Sequence, residues 1–478
     1  MFRMSKMIYN VEDKPPLKHS LGAAFQHLLA IVSATILVPI LIGLPNQISA
    51  AFLGCGLGSI VYILITKRKS PVIISSNFAF IAALELTYQS SGYLGILVGG
   101  LLTGAVYIFL SILIHFIGTK WIAKWFPPII IGPVVALIGL TLAEGAAVDL
   151  VIPNGSFVLG YNLLALLCGL VTFFVIIILS VQNRNKFFRV VPFLFGILAG
   201  YLLALFFTIF GNAFDVDYLK IINFDPLINN FKNIGLTSFL DYPRFALLEG
   251  IGEIANGANK LTPIGVAEIA LLFVPISLVS FSEHIADHKN LSNIIGRDLM
   301  DGEPGLSRTV MGDGVGSIVG TFFGICPNTT YSETVGCIAI TKDASVRTIV
   351  LACVMAIGLS FFTPLIAFFR TIPSCVVAGM CFVLYGYIAV SGLKMIQKVD
   401  LDDNKNLFTL SVILIAGIGG LTLQIPYHIE MYNDSGIYVV SKAISISSIA
   451  VALLLGMLTH FVCTLIEKRN KPEDNESS

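Results

Sequence analysis

Apolar runs of about 20 residues, the length that crosses a ~30 Å hydrocarbon core, follow one another along almost the whole chain. They lie near residues 22–42, 47–66, 71–88, 94–117, 126–147, 161–181 and 187–210. Past a polar loop at 211–262 they resume near 264–286, 308–325, 329–342, 346–370, 373–393, 406–424 and 443–466. The pattern predicts about fourteen membrane spans. The third and tenth are short and polar at one end: Ser75-Ser76-Asn77-Phe78 opens one, and Asn328-Thr329-Thr330-Tyr331 opens the other. In hydrocarbon every backbone N–H and C=O needs a partner, so a polar, irregular helix entry survives only against protein or a cavity. A half-helix starting there aims unpaired N–H groups and its positive dipole end into that cavity.

Two runs of seven spans have opposite orientation, because seven is odd, and the interrupted spans are the third of each run. The first and eighth spans also correspond, and each carries a polar patch, Gln26-His27 and Ser282-Glu283-His284. Paired interruptions at corresponding positions point to an inverted-repeat transporter whose site lies near the bilayer midplane. The expected fold is an all-α polytopic membrane protein of about 14 spans in a 7+7 inverted repeat, with spans 3 and 10 broken.

Composition agrees. The chain has 478 residues, of which 12% are charged, against about 25% in soluble proteins, and its mean hydropathy is +0.87. Its 29 basic and 29 acidic residues cancel, which argues against a nucleic-acid partner. The basic segments Lys67-Arg68-Lys69, Lys120 to Lys124, Arg184 to Arg189, Lys289 to Arg308, Lys342 to Arg347, Lys394 to Lys405 and Lys468-Arg469 all fall on one side of the fourteen-span arrangement. The opposite loops hold most of the loop acids, among them Glu144, Asp149, Asp215, Asp217, Glu430 and Asp434, with Arg370 the main basic exception. Basic loops face the cytoplasm, so both termini are expected inside. The eight cysteines form no C-x-x-C pair and read as inert buried thiols. Gly54-Cys55-Gly56-Leu57-Gly58, inside an apolar span, reads as close helix packing rather than a nucleotide loop.

Three acids stand out. Glu283 lies in FVPISLVSFSEHIADH, with Asp287 one helical turn later on the same face. A carboxylate in hydrocarbon faces a cavity, finds a partner or takes a proton, so this pair reads either as a proton carrier or as a brace between helices. Glu333 sits in PNTTYSETVGCIAITK, at the start of the tenth span, where a helix-start carboxylate is also favoured by the dipole. A planar heterocycle with adjacent N–H and C=O groups suits such a pair of carboxyls, with Phe78 and Tyr331 over its faces. His284 and His288 are also one turn apart, but no cysteine or third histidine lies nearby, and they read as solvated or locally hydrogen-bonded rather than metal-binding. His27 reads as a ring bridging two spans or as a binding group.

The stretches FQHLLAIVSATILVP, SSNFAF, FSEHIADH, PNTTYSETVGCIAIT and VLYG together closely resemble the nucleobase–ascorbate transporter family, especially its bacterial uracil permeases. The resemblance implies a core domain from residues 1–120 and 246–370 and a gate domain from residues 121–245 and 371–478, which move relative to each other. It implies that Glu283 and Glu333 bind substrate, that Glu283 and Asp287 couple protons, that Phe78 and Ser332 offer backbone N–H groups, and that Tyr331 and Tyr385 line the pocket. Gly336, Thr341 and Lys342 complete the family signature that starts at Glu333. Three positions depart from the family pattern: Ser332 in place of glycine, Thr334 in place of asparagine and Asp287 in place of histidine. The expected activity is proton-coupled uracil import across a bacterial plasma membrane, with the proton as coupling ion, no other cofactor, no catalytic residue and no metal. The family implies a homodimer. A xanthine or urate symporter is the nearest alternative, an anion transporter of the same architecture a more remote one, and a membrane enzyme the least favoured.

Overall fold

The computed structural model describes every residue except 1–6, 120, 122–126, 153–161, 183–187, 189–190, 259, 398, 434–435, 447 and 471–478. Most of Lys120 to Lys124 and Arg184 to Arg189, together with Asp434, therefore lie outside the described residues. Helices α1 (Leu17–Leu41) and α2 (Ile48–Ile65) lead to a short strand, β1 (Ile74–Ser76), and a long helix, α3 (Ile81–Ile117). Next come α4 (Pro128–Val151), α5 (Leu163–Val181) and α6 (Pro192–Phe214), then the shorter α7 (Asp225–Phe231) and α8 (Ala246–Ala255). The second half runs α9 (Pro263–Ile295), α10 (Leu306–Phe322), β2 (Asn328–Thr330), α11 (Ser332–Thr341), α12 (Val346–Ser360) and α13 (Thr363–Phe369). It ends with α14 (Ser374–Ile396), α15 (Asn404–Ile418), strands β3 (Leu423–Asn433) and β4 (Gly436–Ile446), and α16 (Ser448–Asn470). Among the described residues, nine helices are long and apolar enough to cross a membrane, and α12 and α15 are shorter apolar helices.

Several expectations change. The third and fourth runs remain two helical segments, but the loop expected between them shrinks to a kink within α3 at Gly92, whose φ of 64° places it in the left-handed region that only glycine adopts freely. The protein is not purely helical: β1 pairs antiparallel with β2, and the loop expected at 425–440 is an antiparallel hairpin, β3–β4, that postpones the last helix to Ser448. The loop at 211–262 is folded around α7 and α8. The run at 346–370 divides into α12 and α13.

Close packing of small residues organises the helices that carry the site. Gly54 and Gly58 of α2 face the backbone of α10: a methyl group on Gly54 would come 2.5 Å from the Gly320 carbonyl oxygen, and one on Gly58 2.9 Å from that of Gly316. Gly56 stands equally close to α12, where a methyl would lie 2.8 Å from the Cys353 carbonyl oxygen. The GCGLG run is thus a helix-packing surface, the membrane use of small residues. On its other side α10 meets α3, where Gly100 and Gly104 leave room for Thr321 and Ile318. Helix α10 is therefore enclosed, and the polar side chains it carries find partners inside the protein.

The two ends of α10 meet different loops. Beside its first turn, the segment before α1 pairs with the chain leaving α11: Ile8 N–H donates to the Lys342 carbonyl (2.9 Å), Ala344 N–H to Tyr9 (3.0 Å) and Val346 N–H to Val11 (3.1 Å). Glu12 accepts from Arg297 (2.8 Å) and Lys69 (3.2 Å) there, and Lys69 also approaches Glu303 (3.7 Å). Past the last turn of α10, Ala246 N–H donates to the Gly324 carbonyl (3.0 Å) and Asp241 N–H to that of Phe361 (3.1 Å). The folded 211–262 segment thus covers that end.

By contact density the chain forms two compact units, residues 1–118 with 143–384 and residues 119–142 with 385–478. The second unit is held by its own small-residue contacts: a methyl on Gly132 would come 2.9 Å from the Gly392 carbonyl oxygen, and Gly456 seats the Ile413 side chain.

Candidate functional site

The two polar interruptions meet. Ile74, Ser75 and Ser76 pair in register with Thr330, Thr329 and Asn328, so each strand satisfies the backbone of the other where neither could be helical. Each then turns into a helix. Phe78 opens a 3₁₀ turn leading into α3, and Ser332 opens α11. Residues at a helix start have no acceptor for their N–H groups one turn back, so Phe78 and Ser332 occupy the positions expected of backbone donors. Asn77 fastens this junction: its Oδ1 accepts from Ala79 N–H (2.8 Å), and its Nδ2 donates to Ser280 of α9 and Thr329 of β2 (2.8 Å each).

Helix α9 presents two polar faces to this junction. Glu283 and Asp287 share one. Glu283 is half-buried, with the Asn77 amide beside it and both Asp287 and Glu333 within electrostatic reach. Glu333 is also half-buried, in the first turn of α11, with Tyr331 beside its carboxyl. The Phe78 and Tyr331 rings are buried, tilted neighbours 6.3 Å apart. The structure thus brings Phe78, Glu283, Asp287, Tyr331, Ser332 and Glu333 together. Tyr385 belongs to the second compact unit.

Two of the three departures from the family pattern are partners. The Ser332 hydroxyl donates to Asp287 Oδ1 at 2.7 Å, which links α11 to α9. The third, Thr334, is buried and donates to the Tyr331 carbonyl at 2.7 Å, closing the first turn of α11 from within. Each departure has a local hydrogen-bonding role, which sequence spacing did not reveal.

The other face of α9 is sealed. His284 Nδ1 donates to Asp313 Oδ2 at 2.7 Å, and Thr309 lies 3.0 Å from its Nε2. Asp313, from α10, also accepts from the Thr330 N–H and hydroxyl, both at 3.1 Å. One turn on, His288 Nδ1 lies 3.0 Å from the His284 carbonyl. A carbonyl only accepts, so that nitrogen carries the proton, and in the neutral ring Nε2 accepts from Tyr62 (2.7 Å), itself 2.9 Å from Ser70. Both histidines are buried and locally hydrogen-bonded rather than solvated. His27 bridges nothing: it is buried and neither ring nitrogen has a partner among the described residues. Asp313 was not among the sequence candidates. Its signal was a lone carboxylate in the glycine-rich apolar stretch GDGVGSIVG.

This arrangement, in which two crossed half-helix starts and facing carboxylates lie inside a bundle of membrane helices, is the class of site that multi-pass transporters build. The chain belongs to the Permease family, whose model matches residues 18–425, and is a membrane transporter rather than an enzyme. It is 34% identical to the uracil permease of Bacillus caldolyticus over 463 residues, 96% of this chain and 95% of that protein. It is 34% identical to that of Bacillus subtilis (strain 168) over 466 residues, 96% of each, and 32% identical to that of Escherichia coli (strain K12) over 426 residues, 88% and 90%. Among solved structures, it superposes on the transmembrane domain of a cyanobacterial bicarbonate transporter with a TM-score of 0.53 at 13% identity, covering 96% of this chain and 100% of that one. The murine Solute Carrier 26 member A9 anion transporter gives 0.60 at 9% identity, covering 95% and 69%. At these identities the two structures establish the shared fold alone.

Proposed function

We propose that this chain imports uracil together with a proton. The observation that carries the reading is the convergence of Glu283, midway along α9, with Glu333 in the first turn of α11, both half-buried, beside the Phe78–Tyr331 ring pair. Carboxyl groups match the N–H-rich edge of a neutral pyrimidine, and the relatives over nearly the full chain are uracil permeases. In the proposed cycle a site carboxyl takes a proton from outside, base binding follows, core and gate rearrange, and base and proton leave inside. Because the same carboxyls meet both ligands, each ligand's binding raises the affinity for the other, and the proton gradient sets the direction. The finer architecture belongs to the same proposal: about fourteen spans in an inverted repeat, a core from residues 1–120 and 246–370, a gate from 121–245 and 371–478 with Tyr385 lining the pocket, both termini in the cytoplasm of a bacterial plasma membrane, and a homodimer.

The test is uptake of labelled uracil into proteoliposomes with and without an inward proton gradient, with unlabelled xanthine as competitor. Gradient-stimulated uptake that xanthine leaves untouched supports the proposal. Xanthine-sensitive uptake moves the assignment to a purine symporter. The superposed anion transporters give a second reading, an anion carrier of this fold. Two carboxylates facing each other repel an anion, however, so base-independent bicarbonate flux is the result that would favour it.

A further inference from the structure

Helix α8 has two unlike sides. Ala246 and Gly250 are buried, and a methyl on Gly250 would lie 3.0 Å from Leu97 and 3.2 Å from Leu94 of α3. Leu248, Ile251 and Ile254, spaced three residues apart, face outward and are 41%, 54% and 58% exposed. Glu253 locks the helix in place: Oε1 accepts from Tyr93 N–H (3.0 Å) and Oε2 from Leu94 N–H (3.2 Å), the donors that the break at Gly92 leaves without intrahelical acceptors.

The place where α8 docks identifies what covers its apolar side. The half-buried Leu94 and the buried Leu97, against which α8 docks, lie in line along α3 with Leu101, Phe109, Ile112 and Phe116, and these last four are exposed large apolar side chains. On a membrane-spanning helix such a stripe faces lipid. Helix α8 therefore lies on the lipid-facing flank of α3, within the first turns of the span rather than above it. Its apolar side continues the lipid-facing surface at the level where the span meets the headgroups. The surroundings suit that depth: Tyr88 and Tyr93 form an edge-on pair 5.1 Å apart, Tyr242 is exposed, and aromatic side chains concentrate at membrane interfaces. Arg244 and Lys260 flank α8, are exposed and have no ion pair among the described residues, which leaves them for lipid phosphates.

We propose that α8 is an interfacial anchor, with Leu248, Ile251 and Ile254 seated in the headgroup–acyl boundary of the leaflet at that end and the Glu253 carboxylate tying the anchor to the break in α3. Seven of the eight cysteines are buried, so a Cys463→Ser background admits selective labelling. Single cysteines at Leu248, Ile251, Ile254 and the exposed Asn256 are labelled with an environment-sensitive fluorophore. The protein is then reconstituted in phosphatidylcholine–phosphatidylglycerol vesicles. The expected result is blue-shifted emission at the first three positions, quenched by a lipid carrying a nitroxide near its headgroup and protected from aqueous iodide, with the reverse at Asn256. Iodide quenching at all four positions would overturn the proposal. So would emission insensitive to both quenchers, or a shift that grows with the protein-to-lipid ratio, because protein and not lipid would then cover the face.

Discussion

The two faces of α9 each carry a pair of ionisable side chains at the same spacing and have opposite fates. Glu283 and Asp287 lie one turn apart on one face, His284 and His288 one turn apart on the other. The histidines are buried and hydrogen-bonded to Asp313, Thr330, Thr309, the His284 carbonyl and Tyr62. The acids meet Asn77 and Ser332, and Glu283 and Glu333 keep half-buried carboxyls. A fully satisfied buried network fixes one geometry. A partly accessible group of acids can exchange partners. The sealed face is thus a brace, and the accessible face is the one on which the proposed exchange of ligand and proton rests.

If that division holds, the largest effect belongs to the brace. Asp313→Ala removes the carboxylate that His284 and Thr330 share, and each buried donor left without an acceptor costs about 1–3 kcal/mol. The expected outcome is a large fall in thermal stability of the purified protein. A variant with unchanged Tm would mean that Asp313 belongs with the functional acids instead. Glu283→Gln should do the opposite, leaving Tm nearly intact while proton-driven uptake falls by at least about ten-fold, the cost of one charge-assisted hydrogen bond. Unfolding of that variant, or near-normal uptake by it, would erase the distinction between the faces.

The link between α9 and α11 gives an intermediate effect. Ser332→Ala removes the hydrogen bond to Asp287, worth about 1.5–3 kcal/mol when the acceptor is charged, and should reduce uptake roughly ten-fold or more. Ser332→Ala/Asp287→Asn should then be no worse than Asp287→Asn alone, because both substitutions remove one interaction. Additive losses would show that the two departures act separately.

The smallest effect is at the surface. The hydrogen bonds from Arg297 and Lys69 hold the Glu12 carboxyl below its ordinary range. Its contribution is therefore complete above the unfolded carboxyl pKa and is lost as pH falls through the lowered folded value. Glu12→Gln should cost only about 0.2–1 kcal/mol at neutral pH, as exposed ion pairs do. The Tm difference from wild type should close in acid and shrink in high salt. A difference that persists at low pH would mean that Glu12 acts through packing rather than charge.

The broken spans were legible in the sequence because membrane solvent leaves few ways to place Ser75 to Phe78 or Asn328 to Tyr331. The same constraint marked Glu283 and Glu333, since an acid in an apolar run is conspicuous without knowledge of its partners. Gly54 and Gly58 were readable for a similar reason: small residues in a span announce close packing. Asp313 was visible in principle but sits within GDGVGSIVG, where the glycines read as packing. His284 could not be distinguished from Glu283 by position, because adjacent residues differ only in which neighbouring helix they face. The sharpness of the kink in α3 was hidden too, because a break at one glycine looks the same along the chain as a short loop between two helices.

The sequence by itself determined that this chain crosses a membrane many times, where its helices are interrupted, and which acids stand at those interruptions. These features follow from transfer of each segment out of water, which depends on its own composition. Tertiary structure alone decided that β1 and β2 pair, that Ser332 and Asp287 answer each other across 45 positions, that His284 braces while Glu283 stays accessible, and that Glu253 caps a helix broken 160 residues earlier. Each depends on which partner comes within about 3 Å, and hydrogen bonds are directional and short-ranged, so spacing along the chain does not encode them.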